Sequence, residues 1–156
     1  MKKFELSNDM LTGIDDIDKQ HRKLLSWGNA LFSDDTDEAA VKKAEQALGN
    51  LTRYVSYHFL AEEEAMHRYD YNKLEKHMNQ HVSLKLKVGK LANRLKKEGA
   101  SRALLIELQY QFIDWFVYHI KEWDQPFAAF IKSSDLPFPV SLTEEDKEVD
   151  WTTEFD

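Results

Sequence analysis

Residues 58–81 read HFLAEEEAMHRYDYNKLEKHMNQH and contain the pattern that decides the predicted fold. His58 and Glu62 are four residues apart, and His77 and His81 repeat this spacing. A step of four residues brings an α-helical side chain back to the same face one turn later, so each pair can present two donor atoms to one point. The stretch therefore predicts two helices that meet at a turn and together supply half of a metal site.

The phase of the apolar residues places both pairs on the inner faces of their helices. In the first of these helices, apolar residues recur every three or four positions, at Val41, Ala44, Leu48, Leu51 and Val55. The next two positions in this series are His58 and Glu62. In the following helix, the stripe leads back to His81 and His77; its members are Leu84, Val88, Leu91 and Leu95. A buried carboxylate among imidazoles needs a compensating charge, so a metal ion is favoured over a hydrogen-bonded core cluster, which is the alternative.

Two more helices are predicted, and each carries a histidine on its inner face. These are His21 in the first helix and His119 in the fourth, which follows the N-cap candidate Ser101. The predicted helices span about residues 15–32, 72–97 and 102–132, and the second helix runs from one of several N-cap candidates at 33–38 to about residue 67. Their short connections predict an all-α, up-down-up-down four-helix bundle, in which the inner histidines converge on one layer.

Asp124 is the least regular member of the candidate site. It lies five residues after His119, which on a regular α-helix places it about 140° away from the inner face. Pro126 changes this expectation because it removes a backbone donor and disfavours α geometry at the residue before it. We therefore predict a kink or a π-bulge at residues 121–125 that brings the carboxylate inward, to the height of Glu62.

The composition is that of an ordinary soluble domain. The chain has 156 residues, of which 42% are hydrophobic and 31% charged. The absence of cysteine excludes disulfides, thiolate metal sites and thiol nucleophiles. No apolar run is long enough for a membrane span, the N-terminus lacks the apolar core of a signal peptide, and no basic stripe suggests nucleic acid. We therefore expect a cytoplasmic protein that binds neither a membrane nor a nucleic acid.

The net charge of −7 is concentrated at the C-terminal end. Residues 133–156 hold eight acidic residues and one lysine, whereas acidic and basic residues balance over residues 1–132. We therefore predict a four-helix bundle over 1–132 and an acidic tail over 133–156. The tail has no helical period and contains two prolines, so we expect it to be mobile. The alternative is a segment that docks a protein partner through Phe138, Trp151 and Phe155.

The complete set of candidate ligands comprises His21, His58, Glu62, His77, His81, His119 and Asp124. Five imidazoles and two carboxylates exceed the needs of one zinc ion and suit a pair of borderline transition-metal ions. If both carboxylates and an oxo or hydroxo group bridge two octahedral ions, a single coordination position remains open. That position lies on the ion with two histidines.

The order H…HxxxE…HxxxH…HxxxxD of these residues strongly resembles the hemerythrin family, particularly the bacterial hemerythrins. The segment GIDDIDKQH at 13–21 is also similar to the family's first-helix entry, and the resemblance covers about residues 10–132. It implies a non-haem di-iron centre that binds O₂ reversibly. One iron is then held by His77, His81 and His119, the other by His21 and His58, and the bridges are Glu62, Asp124 and an oxo or hydroxo group. The implied lining of an apolar oxygen pocket is Leu24, Phe59, Trp115, Phe116 and Ile120.

The leading hypothesis is an O₂-binding protein for storage, delivery or sensing, and not an enzyme. The alternative is a di-iron enzyme such as an oxidase, a peroxidase or a nitric-oxide scavenger. Oxidase centres are built on Glu-x-x-His motifs, and the one such motif here runs from Glu64 to His67, a histidine that is off phase and expected at the surface. A structural metal site is a third hypothesis, if Trp123 fills the open position. Glu122 and Trp123 are bulky where many relatives have smaller residues.

Overall fold

The computed structural model describes residues 3–31 and 38–138, and within these ranges the chain forms helices and no β-strand. A 3-10 turn at Asn8–Met10 precedes the bundle. The other elements are α1 (Asp15–Ala30), α2 (Glu38–Arg68), α3 (Leu74–Glu98), α4 (Arg102–His119), a π-helical turn (Ile120–Asp124) and α5 (Gln125–Ser133). The predicted bounds that fall on described residues agree with these to within two residues, and the predicted end of the first helix at Phe32 lies outside the described residues. Over the described ranges, no helix is both long and apolar enough to cross a membrane.

The helices form a bundle around an apolar core, which confirms the predicted fold class. α1 and α3 each pack against both α2 and α4, and α5 continues the line of α4 beyond the π-helical turn. The inner stripes are filled by side chains with almost no exposed surface, such as Leu51, Leu84, Leu108 and Phe112. Burying a side chain of this size stabilises the folded state by about 1.5–3 kcal/mol.

The connection between α3 and α4 is closed by two caps, one of which is the predicted N-cap Ser101. Gly99 has a φ of +78°, a conformation that L side chains rarely adopt, and its N–H donates to the Leu95 carbonyl at 3.0 Å. Two residues later, Ser101 Oγ accepts a hydrogen bond from the Leu104 N–H at 3.2 Å. α4 therefore begins at a defined point, and the phase of its inner residues follows from that start.

The segment before α1 is tied down more firmly than its irregular sequence suggests. The buried Asp18 carboxylate accepts hydrogen bonds from the Thr12 N–H at 2.9 Å, the Thr12 hydroxyl at 2.8 Å and the Gly13 N–H at 3.2 Å. Lys132 Nζ in α5 donates to the Thr12 carbonyl at 2.6 Å. These bonds fasten the start of α1 to α5, and His21 lies one turn further along α1.

The helical register changes between α4 and α5. The Gln125 N–H bonds to the Ile120 carbonyl, and this step of five residues defines the π-helical turn. Pro126 follows at once and has no N–H to donate to the preceding turn, which favours a change of register at this point. The extra residue rotates Asp124 inward, and its side chain is fully buried. The predicted π-bulge is therefore present.

The chain continues to pack on the bundle beyond the predicted boundary at residue 132. Leu136 and Phe138 lie against a second apolar cluster, which consists of Ala65, Met66, Tyr71, Phe127 and Ile131. Tyr69 Oη donates a hydrogen bond to the Pro137 carbonyl at 2.5 Å. The rest of the predicted tail, residues 139–156 with Trp151 and Phe155, lies outside the described residues.

Candidate metal centre

The structure brings all seven predicted ligands together in one buried layer. Their residues are at most 1% exposed. They are contributed by α1 (His21), α2 (His58 and Glu62), α3 (His77 and His81), α4 (His119) and the π-helical turn (Asp124). Their donor atoms form two groups, and within each group all atoms lie within 4.8 Å of one another. The three-histidine group is His77, His81 and His119 with both carboxylates, and the two-histidine group is His21 and His58 with both carboxylates.

Glu62 directs one oxygen to each group. Its Oε2 lies 3.4 Å from His77 Nε2 and 3.3 Å from His81 Nε2. Its Oε1 lies 3.3 Å from His58 Nε2, in the other group. The carboxylate therefore spans the two groups as a bridge between two metal ions would.

Asp124 divides its oxygens in the same way. Its Oδ1 lies 2.9 Å from His119 Nε2, and its Oδ2 lies 2.9 Å from His21 Nε2. With metal–ligand bonds of about 2.1 Å, adjacent ligands of an octahedral ion lie about 3 Å apart. The observed separations are close to that value, so both carboxylates can serve as bridges at the same time.

The donor set fits metal ions because most of its atoms converge without forming aligned hydrogen bonds. Both oxygens of Glu62, Asp124 Oδ2 and the Nε2 atoms of His21 and His58 are buried and have no hydrogen-bond partner among the described residues. Asp124 Oδ2 and His21 Nε2 are thus close in space, but the ring N–H does not point at the oxygen. His77 Nε2 is better placed, with Asp124 Oδ1 at 3.1 Å. Such a partly satisfied cluster is costly without a cation at the point where the lone pairs meet.

Two residues outside the predicted set orient histidines from behind. His58 Nδ1 lies 2.7 Å from Gln20 Oε1, and His81 Nδ1 lies 2.7 Å from Glu63 Oε1. A ring nitrogen that donates to such an oxygen leaves Nε2 with a free lone pair, so both rings are held in the tautomer that binds a metal. Sequence reasoning missed this pair. The sequence does contain one indication of their role: Gln20 and Glu63 are each adjacent in the chain to a predicted ligand, and such a position lies about 100° from the inner face of the helix.

The pKa values show which side chains of the cluster carry a charge when no metal ion is bound. Burial disfavours a charge on His77, but the carboxylates of Asp124 and Glu62 outweigh it and raise the His77 pKa to about 9. Burial lowers the pKa of the adjacent His119 to about 4, although Asp124 favours its charged form. Burial and the Asp124 charge oppose ionisation of Glu62, yet the surrounding histidines, His58 foremost, hold its pKa well below the usual range. A metal ion would therefore replace a proton on His77.

The five residues of the implied oxygen pocket are all buried, and three of them pack directly on histidines. The ring-centroid distances are 3.7 Å for Phe59 on His81, 4.4 Å for Trp115 on His119 and 5.3 Å for Phe116 on His21. Leu24 and Ile120 have no exposed surface and belong to the same apolar core. Apolar side chains therefore cover both groups from the core side of the bundle.

Trp123 packs on the three-histidine group. Its ring lies edge-on to His77 at 5.9 Å. The hypothesis of a structural metal site needs Trp123 to fill a position beside His21 and His58, and the observed contact argues against that. His67 is exposed at the end of α2 and lies outside both groups, where the sequence predicts it.

Comparison with known proteins agrees with this geometry. Residues 12–131 match the family model described as the hemerythrin HHE cation binding domain. A bacteriohemerythrin of Aquifex aeolicus is 25% identical over 112 residues, which cover 72% of this chain and 85% of that protein. A bacteriohemerythrin of Clostridium acetobutylicum is 28% identical, with coverage of 80% and 98%, and one of Stenotrophomonas maltophilia is 28% identical, with coverage of 81% and 80%. The chain belongs to the hemerythrin family.

Proposed function

We propose that this chain binds O₂ reversibly at a non-haem di-iron centre, in storage, delivery or sensing. The observation that carries the proposal is that Glu62 and Asp124 each direct one oxygen to each group of histidines. The hemerythrin domain implies iron, and the similar proteins bear the name bacteriohemerythrin. We assign one iron to His77, His81 and His119, the other to His21 and His58, and the bridges to Glu62, Asp124 and an oxo or hydroxo group.

Two ferrous ions would supply the electrons that O₂ takes up on binding and returns on release. The chain itself holds the donor atoms in place, since Gln20 and Glu63 orient two of the rings and the helices bury the rest. Two carboxylates leave such a centre positively charged, whereas the carboxylate-rich centres of di-iron oxidases come closer to neutrality and stabilise higher oxidation states better. The donor set therefore favours a carrier over an oxidase.

The apolar lining is the second requirement of a carrier. A protein that returns O₂ unchanged must not deliver protons to it, and none of the five lining residues has a side chain that titrates as an acid. Exclusion of water by the lining then controls how long the oxygen complex lasts.

The deciding experiment is anaerobic reconstitution with Fe(II), followed by metal analysis and by optical spectra through cycles of O₂ and argon. We expect two iron ions per chain and a spectrum that changes with O₂ and returns under argon. Irreversible oxidation at first contact would favour the alternative, a di-iron enzyme such as an oxidase, a peroxidase or a nitric-oxide scavenger. One tightly bound zinc ion and no iron would rule out both functions.

We also propose that residues 1–132 contain the whole iron site. All seven candidate ligands lie within the matched range 12–131. Because Leu136 and Phe138 pack on the cluster beside α5, a chain that ends after Phe138 is the better test. It should bind as much iron as the full chain, and a loss of iron binding would show that residues 139–156 are needed for the site.

A further inference from the structure

α3 presents a surface that combines positive charge with exposed apolar side chains. The helix holds seven basic residues and two acidic ones in its 25 residues. Val82 is 51% exposed and Leu86, one turn later, is 49% exposed. Lys87 and Lys90 stand beside them, are exposed, and form no ion pair with another described residue. We call these four residues the α3 surface.

The chemistry of this surface specifies its occupant. A second copy of α3 would bring lysines against lysines, so pairing of two α3 surfaces is opposed by like charges. An acidic segment with apolar side chains would neutralise the lysines and cover the two apolar side chains. Surface lysines paired with carboxylates contribute modestly each, and several such pairs together with apolar burial hold a segment in place.

Residues 139–156 of this chain, PVSLTEEDKEVDWTTEFD, have that composition. They contain seven acidic residues and one lysine, Lys147. Their apolar residues are Val140, Leu142, Val149, Trp151 and Phe155. The most acidic part of the chain therefore complements its most basic helix.

The described chain ends close to where α3 begins. Phe138 packs on the same apolar cluster as Leu74, the first residue of α3. From Leu74, Val82 is about 12 Å further along the helix, and the whole of α3 is about 37 Å long. Eighteen residues can span up to about 60 Å when extended, so the segment that follows Phe138 can reach every part of the α3 surface.

We propose that residues 139–156 dock on the α3 surface of their own chain, with carboxylates on Lys87 and Lys90 and apolar side chains on Val82 and Leu86. A tether this short holds the segment at an effective concentration of the order of millimolar, so weak contacts suffice. Docking is electrostatic in part and is weakened by salt, because the screening length falls from about 10 Å at 0.1 M to about 3 Å at 1 M.

Limited proteolysis of the full, iron-loaded chain tests this docking. Lys147 is the only tryptic site in residues 139–156, so the rate of cleavage after it, followed by intact mass, measures how often the segment is released. Lys87→Glu/Lys90→Glu should speed this cleavage roughly tenfold, through the loss of two ion pairs and the repulsion that replaces them. The matched control, Lys42→Glu/Lys43→Glu on the exposed side of α2, makes the same change of charge and should leave the rate unaltered. Equal rates in the two variants would overturn the proposal.

Disulfide trapping tests the location of the segment independently of cleavage. The chain has no cysteine, so the pair Leu86→Cys and Thr152→Cys introduces the only two thiols. We expect a disulfide within one chain at low salt, formed much more slowly in 1 M NaCl. A control pair, Arg53→Cys and Thr152→Cys, places the first thiol on the exposed side of α2. Equally fast trapping by the control pair, or disulfides that join two chains, would show that the segment does not dock on its own α3.

Discussion

Glu62 is one of the two residues, with Asp124, that both groups of histidines share. Replacing it with Ala removes one bridge and leaves three imidazoles facing a cavity. We expect Glu62→Ala to lose most of its iron and to reduce the free energy of unfolding of the iron-reconstituted chain by about 3–5 kcal/mol, the usual cost of breaking a buried ionic contact. His67→Ala, on an exposed residue of the same helix, should retain iron and change stability by less than about 0.5 kcal/mol. Metal analysis and urea unfolding compare the two, and similar behaviour would contradict the assignment.

Glu63 acts through His81 and should affect affinity rather than stoichiometry. Removing the oxygen behind a metal-bound histidine typically weakens metal binding by about 10–100-fold. Glu63→Ala should therefore bind iron more weakly, while Glu64→Ala, on the exposed neighbour that pairs with Arg68, should not. Glu63→Gln should recover part of the loss, because its amide oxygen can accept from His81 Nδ1 as Gln20 does from His58. Competition with a chelator of known affinity measures this order, and a Glu63→Gln variant as weak as Glu63→Ala would argue against a hydrogen-bonding role.

Leu24 tests whether the apolar lining protects the oxygen complex. Leu24→Ala opens space one turn along α1 from His21, so water can approach the two-histidine group. We expect iron to stay bound in this variant. Its ability to take up and release O₂ should decay several times faster than that of the unmodified chain. Leu108→Ala creates a similar cavity about three turns from His119 along α4 and controls for the general loss of stability. Equal lifetimes for the two variants would show that the lining does not limit the reaction.

At the scale of elements, the apolar stripes decide what the sequence can predict. A stripe specifies the inner face of its helix, and for this reason the inward direction of His58, Glu62, His77 and His81 follows from spacing alone. Asp124 is off the stripe, and Pro126 provides the signal for the π-helical turn that brings it back.

The apolar stripes do not specify which side chain of a neighbouring helix is contacted by a polar residue that lies beside a stripe. Gln20 and Glu63 each form a hydrogen bond to a histidine ring on another helix. These bonds depend on how the two helices are rotated relative to each other, and the sequence pattern of a single helix does not predict that rotation. The same holds for the Asp18 carboxylate, whose role is apparent only when the segment around Thr12 folds back on α1. These three residues therefore belong to what only the structure reveals.

The contact of α1 with α4 can be tested through a pair of glycines. A Cβ on Gly28 would lie 2.9 Å from two atoms of the Phe112 ring, whereas a Cβ on Gly49 in α2 would meet nothing within 4 Å. Gly28→Ala should lower the free energy of unfolding by about 1–2 kcal/mol, because crowding of a packed core outweighs the gain in helix propensity. Gly49→Ala should raise it by up to about 1 kcal/mol. Urea unfolding measures both, and a stabilised Gly28→Ala variant would contradict the close approach of the two helices.

At the scale of the whole molecule, stability should depend on pH in opposite ways with and without metal. In the metal-free chain, the pKa of His77 is raised from 6.5 to about 9, so its contribution to stability is complete below pH 6.5 and is lost as pH rises towards 9. The pKa of His119 is lowered from 6.5 to about 4, so its contribution to stability is lost as pH falls below 6.5. The pKa values of Glu62 and Asp124 are also lowered, and the contributions of these two carboxylates are lost as pH falls below about 4.5. The metal-free chain should therefore be most stable near pH 6.5.

Iron reverses the alkaline side of this dependence. A metal ion binds His77 only in its neutral form, so iron and protons compete for the same nitrogen, and iron binding strengthens as pH rises from 6.5 towards 9. The difference in melting temperature between the anaerobic iron-loaded chain and the metal-free chain should widen over that interval, because the free chain loses stability while the loaded chain does not. Thermal unfolding at a series of pH values measures both curves. A metal-free chain that grows steadily more stable from pH 6.5 to 9 would show that His77 is not protonated between the carboxylates, and the charge balance inferred for the buried cluster would then be wrong.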